Sequence, residues 1–346
     1  MSYQQLLHVL LGFCLCSGAA WAESLALKAG HPEHYEVKRG DTLWDIAGHF
    51  LQHPYQWPQI WQGNPHIENP HWIYPGDRLV LTRHNGQPQI HLQRNLAKTG
   101  RDVKLYPRIR QQPLEKPIEV IPTEKIAKYL TNPKIVAEDE LAKAPYIVAI
   151  AGEHVIAGQG NRVYVRGLED AQNFAFTAFR PGATYVDGKT SEVLGYEGKF
   201  IANLNLEKAG DPSTLLITDV AREVLIGDRI LPHSQGEFSL SFFPRPPAKA
   251  VEGQIISVME GVSQIGQYDV VALDRGTVDG LEPGHVLDIY QQGEQVRDLF
   301  RAGELVQLPD ELAGTLMVFR AFDRVSYALV LNAFQAMHVL DYVRTP

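Results

Sequence analysis

Four tryptophans, Trp44, Trp57, Trp61 and Trp72, fall within one short stretch of this chain, and the punctuation around them leaves room for few folds. His34-Tyr35-Glu36-Val37-Lys38 alternates as a half-buried strand does and turns at Arg39-Gly40-Asp41. Asp41 or Thr42 then caps a helix whose Leu43, Ile46, Ala47 and Phe50 recur at helical spacing. Pro54 ends that helix, Pro58 opens a second with Ile60 and Trp61 inward, and Asn64-Pro65 stops it. A turn at Tyr74-Pro75-Gly76-Asp77 leads into a second strand, Arg78 to Thr82. The order strand, helix, helix, strand lets the two strands pair side by side with both helices on one face. Trp44 and Trp61 are read as large rings filling a small core, whereas Trp57 and Trp72 suit core or ligand contact equally.

These residues resemble the LysM peptidoglycan-binding domain. The pattern stands as Tyr35-x-Val37-x-x-Gly40-Asp41-Thr42-Leu43-x-x-Ile46-Ala47, then Asn64, then Ile73-Tyr74-Pro75-Gly76-x-x-Leu79. The resemblance covers residues 34–82 and implies a small βααβ fold. It also implies a shallow groove between the loop after the first strand and the loop before the second, contacting N-acetylglucosamine. Carried onto this sequence, the glycan-binding residues are Gly40, Asp41, Thr42 and Leu43 on one side, and Ile73, Tyr74, Pro75 and Gly76 on the other. The chemistry suits such a site, because an N-acetyl sugar offers an amide for backbone hydrogen bonds and a methyl for an apolar notch. Gln52 to Gln59 departs from the shorter family pattern as an aromatic, proline-bearing insertion, which leaves the glycan register open there.

Ahead of this window, Leu6 to Cys16 is an apolar run of the length of a secretory h-region, and Ala20-Trp21-Ala22 supplies an A-x-A exit. Residues 1–22 are therefore read as a signal peptide, cleaved before Glu23. The run is short for a membrane span. Cys14 and Cys16 are preceded by Phe13 and Leu15, not by the small residue a lipoprotein box requires. These are the 2 cysteines of the chain, so the mature protein has none, which excludes disulfides and thiol mechanisms together. Lys plus Arg number 32 against 40 Asp plus Glu, a net charge of −8 that works against nucleic acid or anionic lipid as partners. The expected location is a bacterial periplasm, with no transmembrane segment after signal cleavage.

The chain has 346 residues and 45% hydrophobic content, enough for two or three cores. Prolines at 88, 107, 113, 117, 122, 133 and 145 mark residues 83–144 as an extended linker with one short helix, Thr123 to Thr131. With Ala144 to Val148 and Gly160 to Gly167, this stretch resembles uncharacterised secreted bacterial proteins that join one LysM domain to a longer carboxy-terminal region. Beyond it, Ser213 to Ile230 aligns without a gap onto Ser326 to Val343. Gly198-Lys199-Phe200 stands before one copy as Gly314-Thr315-Leu316 stands before the other. Runs of Val, Ile, Leu, Tyr and Phe with turns such as Pro181-Gly182 and Pro283-Gly284 predict two mostly β modules, small barrels or sandwiches. They are placed at 145–232 and 251–346, parted by Pro244 to Pro247.

No catalytic, metal or cofactor site is legible. His49 and His53 share a helix face, but no H-E-x-x-H motif completes them. Lys98-Thr99-Gly100 has no S-x-x-K partner, Gly261 to Gly266 misses G-x-S-x-G by one position, and Gly158-Gln159-Gly160 lacks a third glycine. His154, His233, His285 and His338 are isolated in sequence, and Asp139-Glu140 reads as a solvated face. The expectation is a multidomain, non-catalytic periplasmic protein that holds peptidoglycan through its LysM domain and offers two β-modules to an envelope protein partner. The alternatives are a cell-wall hydrolase with an unrecognised β-rich catalytic domain and an envelope or flagellar structural subunit.

Overall fold

The computed structural model describes residues 25–65, 67, 70, 72–94, 118–131, 134–152, 154–168, 173–233, 242–259, 264–301 and 303–346. The segment read as a signal peptide and residues 95–117 of the expected linker, including Lys98-Thr99-Gly100, lie outside the described residues, as do Gly261 to Ser263.

Strand β1 (His34–Glu36) leads through the first loop to helix α1 (Leu43–Phe50). Thr42 is its N-cap, in a reciprocal capping box: the Asp45 N–H donates to Thr42 Oγ1 at 3.1 Å, and Thr42 N–H donates to Asp45 Oδ2 at 3.3 Å. Leu43, Ile46, Ala47 and Phe50 are buried as their spacing requires, and Trp44 with them. The helix closes at Leu51, short of Pro54, which instead opens a 3-10 turn, Pro54–Gln56. That turn runs into α2 (Trp57–Ile60) and a second 3-10 turn, Trp61–Gly63. Strand β2 (Arg78–His84) then pairs antiparallel with β1, Tyr35 opposite Leu79.

Part of the expected linker is ordered structure. Asn85-Gly86, with φ of 50° and 81°, reverses the chain into β3 (Gln87–Gln93), an antiparallel third strand on the LysM-like sheet. Two positive φ values in succession are what a tight hairpin of this hand needs, and Asn-Gly adopts them at low cost. Pro88 is tolerated because β3 is the sheet edge. Asn64 locks the strand to the helical layer, donating to the Ile90 carbonyl at 2.6 Å and accepting from the Leu92 N–H at 2.8 Å. Farther on, Ile118 to Ile121 and helix α3 (Thr123–Thr131) are described, and Ile126 and Tyr129 of α3 are buried.

Strand β4 (Lys134–Val136) and helix α4 (Glu138–Lys143) precede β5 (Tyr146–Ile150), β6 (Arg162–Arg166), β7 (Ala175–Val186), β8 (Val193–Lys208), β9 (Ser213–Val220) and β10 (Arg229–Pro232). The sheet runs β4-β8-β7-β10-β5-β6-β9, and β8 also pairs with β9, closing six strands into a ring with β4 outside it. The second module comprises β11 (Glu252–Val258), β12 (Gln264–Ile265), β13 (Val270–Leu273), β14 (Val286–Gln291), β15 (Gln295–Arg297), β16 (Leu305–Gln307), β17 (Glu311–Ala321), β18 (Ser326–Ala333), β19 (Met337–His338) and β20 (Tyr342–Arg344). Of these, β11-β13-β18-β17-β14-β20 form a closed barrel. Both modules are thus barrels, and the sandwich option falls away.

The rings share one order, β5-β6-β9-β8-β7-β10 and β11-β13-β18-β17-β14-β20, all neighbours antiparallel. The likeness reaches single bonds: Gly227 N–H donates to the Ile147 carbonyl at 2.8 Å, and Leu340 N–H to the Ile255 carbonyl at 2.7 Å. One detail of the sequence alignment shifts. Ala202 pairs with Val220 as Gly314 pairs with Ala333, so Gly314 answers to Ala202 and not to Gly198.

Barrel two is apolar on both sides of its wall. Along β18, Ala328 and Val330 point into the barrel core, while Tyr327, Leu329 and Leu331 belong to a second core outside it. The period-two alternation of a strand explains the split. That outer core is shared with Trp44, Phe50 and Trp57 of the amino-terminal domain, Ile126 of α3, and Tyr185 near the turn between β7 and β8. The amino-terminal domain is therefore packed on barrel two, which corrects the expectation of a domain held at a distance by an extended linker.

Candidate functional site

The two loops singled out in the sequence meet. Val37 N–H donates to the Asp77 carbonyl at 2.9 Å and Gly76 N–H to the Val37 carbonyl at 2.8 Å, which fixes the spacing of the loops. Within the first loop, Asp41 Oδ2 accepts from the Lys38 N–H at 2.8 Å and from the Tyr35 hydroxyl at 2.9 Å. Partial burial, and then Asp41, push the Tyr35 phenol up to about 12, so it remains a donor across the physiological range. In the second loop, Tyr74 N–H donates to Asp77 Oδ2 at 3.1 Å, and the Arg94 guanidinium lies 5.7 Å from the centre of the Tyr74 ring. Gly40 and Gly76 have φ of 91° and 89° with open space where a Cβ would stand, so both turns need glycine for backbone shape.

Residues 35–82 match the family model described as LysM domain. This region is a LysM domain. Such a module indicates binding of a peptidoglycan- or chitin-type glycan. The chain is also similar to a protein of Bacillus subtilis (strain 168) described as uncharacterized protein YqbP, 43% identical over 60 residues, covering 14% of this chain and 27% of that relative. The similarity thus spans about a quarter of the relative's length, 27%.

The LysM groove divides the eight residues into two sets. Gly40 and Gly76 are exposed, and Asp41, Tyr74 and Pro75 half-buried, so these five form a solvent-facing rim. Thr42, Leu43 and Ile73 are buried at 6%, 3% and 0% exposure, and no ligand reaches them without movement. Against their backbone lies Ile118 to Ile121. This segment bridges Thr42 at Glu119 in parallel fashion and hydrogen-bonds both loops. Sequence reasoning missed it, although Ile118-Glu119-Val120-Ile121 is a short apolar run bracketed by Pro117 and Pro122.

Of the tryptophans, Trp44, Trp57 and Trp61 are buried, whereas Trp72 is 49% exposed beside the second loop. Trp44 Nε1 donates to Asn332 Oδ1 of barrel two at 2.5 Å. His49 stacks on Tyr35 with ring centres 4.7 Å apart and His53 lies 5.5 Å from Tyr55, so the two imidazoles turn to different neighbours. Among the described residues, no group of three or more His, Cys, Asp or Glu is placed to hold a metal ion. Gly158-Gln159-Gly160 lies in the turn before β6. A surface hollow of about 830 Å³ is lined by Leu25, Gln59, Gln62 and the β2–β3 turn, and shares no residue with the groove. Among the described residues, no helix is long and apolar enough to cross a membrane.

Proposed function

We propose that this chain is a non-catalytic peptidoglycan-binding protein of the bacterial periplasm, exported by a signal peptide cleaved after Ala22. Its two barrels act as diverged copies of one interaction module. The observation that carries the reading is the meeting of the two LysM loops, with the backbone N–H groups of Leu43 and Trp44 and the carbonyl of Ile73 all directed at the one groove in which residues 118–120 now lie. Those are the groups an N-acetyl sugar amide requires. The A-x-A exit after an apolar run supports export, and the matched ring order supports a duplicated module serving protein partners.

The test is co-sedimentation of the mature chain with insoluble peptidoglycan and with chitin, alongside Tyr74→Ala. Retention of the unaltered chain, weakened by the substitution, is the expected result. Release of soluble muropeptides during the incubation would replace the binding role with a hydrolytic one. Amino-terminal sequencing of the protein from cells should begin at Glu23.

A further inference from the structure

The groove between the two LysM loops already holds a piece of this chain. Leu43 and Trp44 N–H donate to the carbonyls of Glu119 and Val120 at 2.8 and 3.2 Å, and Ile118 N–H donates to the Ile73 carbonyl at 2.9 Å. Ile118, Val120 and Ile121 are buried at 6%, 3% and 0% exposure. The segment therefore presents amide N–H, amide C=O and small apolar groups, the same set that an acetamido group offers. Two ligands that require the same three backbone groups cannot occupy the groove together.

We propose that Ile118–Ile121 is an intramolecular strap that competes with glycan for the LysM groove, so that glycan binds only molecules in which the strap is displaced. The inference rests on the glycan-binding reading given above. The strap is secured from its carboxy-terminal side. The Glu119 carboxylate accepts from the Thr123 N–H at 2.8 Å and hydroxyl at 2.6 Å, holding the start of α3. Helix α3 leans on barrel two, where Arg320 of β17 donates to the Tyr129 carbonyl at 3.3 Å. Groove occupancy is thereby linked to how α3 sits on that barrel. A tethered competitor acts at an effective concentration on the order of mM, and the apparent affinity for glycan falls in proportion to the open fraction.

The experiment compares the full mature chain with two variants, Val120→Ala/Ile121→Ala and Ile118→Pro, the second removing the N–H that Ile73 accepts. Soluble N-acetylglucosamine oligomers, titrated calorimetrically, should bind either variant at least about tenfold more tightly than the unaltered chain. In the unaltered chain, saturating oligomer should speed hydrogen exchange at the Ile118 amide. Equal affinities together with unchanged exchange at Ile118 would overturn the strap and leave glycan binding intact. No binding by any of the three proteins would overturn the glycan reading and the strap with it. Where one variant fails to fold, the other variant and the exchange measurement on the unaltered chain decide.

Discussion

Asp228 and Asp341 occupy the same turn in the two barrels, each accepting a backbone N–H at 2.8 Å, from Leu225 and His338 respectively, yet their surroundings differ. Asp228, its side chain 1% exposed, is gripped by Arg180 through Nε at 2.7 Å and Nη2 at 2.9 Å. Asp341 has its carboxyl pushed above the usual carboxylate range by burial. Asp228→Ala would leave the Leu225 N–H without its acceptor, while the partly exposed Arg180 keeps the Glu223 carbonyl, and should cost about 1–3 kcal/mol in chemical denaturation. Asp341→Asn keeps an acceptor and removes a penalised charge, so it should be neutral or stabilising at pH 7. Gly227, at φ 95° with no atom near a prospective Cβ, carries a backbone requirement and no steric one. Gly227→Ala should accordingly cost about 1–2 kcal/mol.

Burial also raises the Asp288 carboxyl, partly offset by the Thr315 hydroxyl donating to it at 3.1 Å. A raised folded value means that the folded chain holds the proton more tightly than the unfolded one. The associated stability is complete below the unfolded value of about 4 and is lost as pH rises through the folded one. Asp288→Asn should therefore raise the denaturation midpoint at pH 7, with the gain shrinking as pH falls toward about 4. A gain that is constant with pH would show that ionisation of Asp288 is not the cause.

At the scale of elements, punctuation and periodicity account for most of what formed. Thr42 caps α1 in a sequence that names its own helix start, and the capping box makes this position structural. Thr42→Ala should cost about 1 kcal/mol, and a loss of glycan retention in that variant would need correction for folding. The β2–β3 hairpin depends on Asn85-Gly86, with Gly86 at φ 81°. Gly86→Val should weaken the hairpin, which amide exchange across Gln87 to Gln93 would register as lost protection. Pro88 and the proline-rich stretch after it obscured this strand, because a proline in a strand reads as loop until its place at a sheet edge is known.

For the whole molecule, the consequential fact is that the LysM domain and barrel two share a core. Every tryptophan beyond Trp21 lies in the LysM domain, and Trp44 touches barrel two, so tryptophan fluorescence of the mature chain reports that domain together with its contact on the barrel. Leu329, fully buried on the outer face of β18, belongs to the shared core. Leu329→Ala should lower the tryptophan-detected stability by about 2–4 kcal/mol although no tryptophan is altered. A tryptophan transition unmoved by this substitution would mean that the two units fold independently. Salt bridges from the β7–β8 turn to barrel two, Lys189 to Glu252 at 2.8 Å and Glu192 to Arg324 at 2.7 Å, are exposed and contribute little beside that core.

Local chemistry alone determined the LysM domain: the turn glycines, the Thr42 cap, the helical spacing from Leu43 to Phe50 and the second turn at Tyr74 to Gly76 each act over a few residues. The β-rich character of the remainder was equally legible, because strand-forming runs between glycine turns declare themselves without a partner. Tertiary structure decided three things. Ring closure depends on pairing strands distant in sequence, such as β11 with β20, which no local pattern encodes. The outer face of β18 was written as unbroken hydrophobicity, and a run apolar on both faces says that something covers it without naming what. The strap over Thr42, Leu43 and Ile73 comes from 118–121, and its hydrogen bonds to the loops run through backbone groups that every residue carries. Side-chain identity can therefore announce a groove, while the backbone that fills it is found only when the chain is folded.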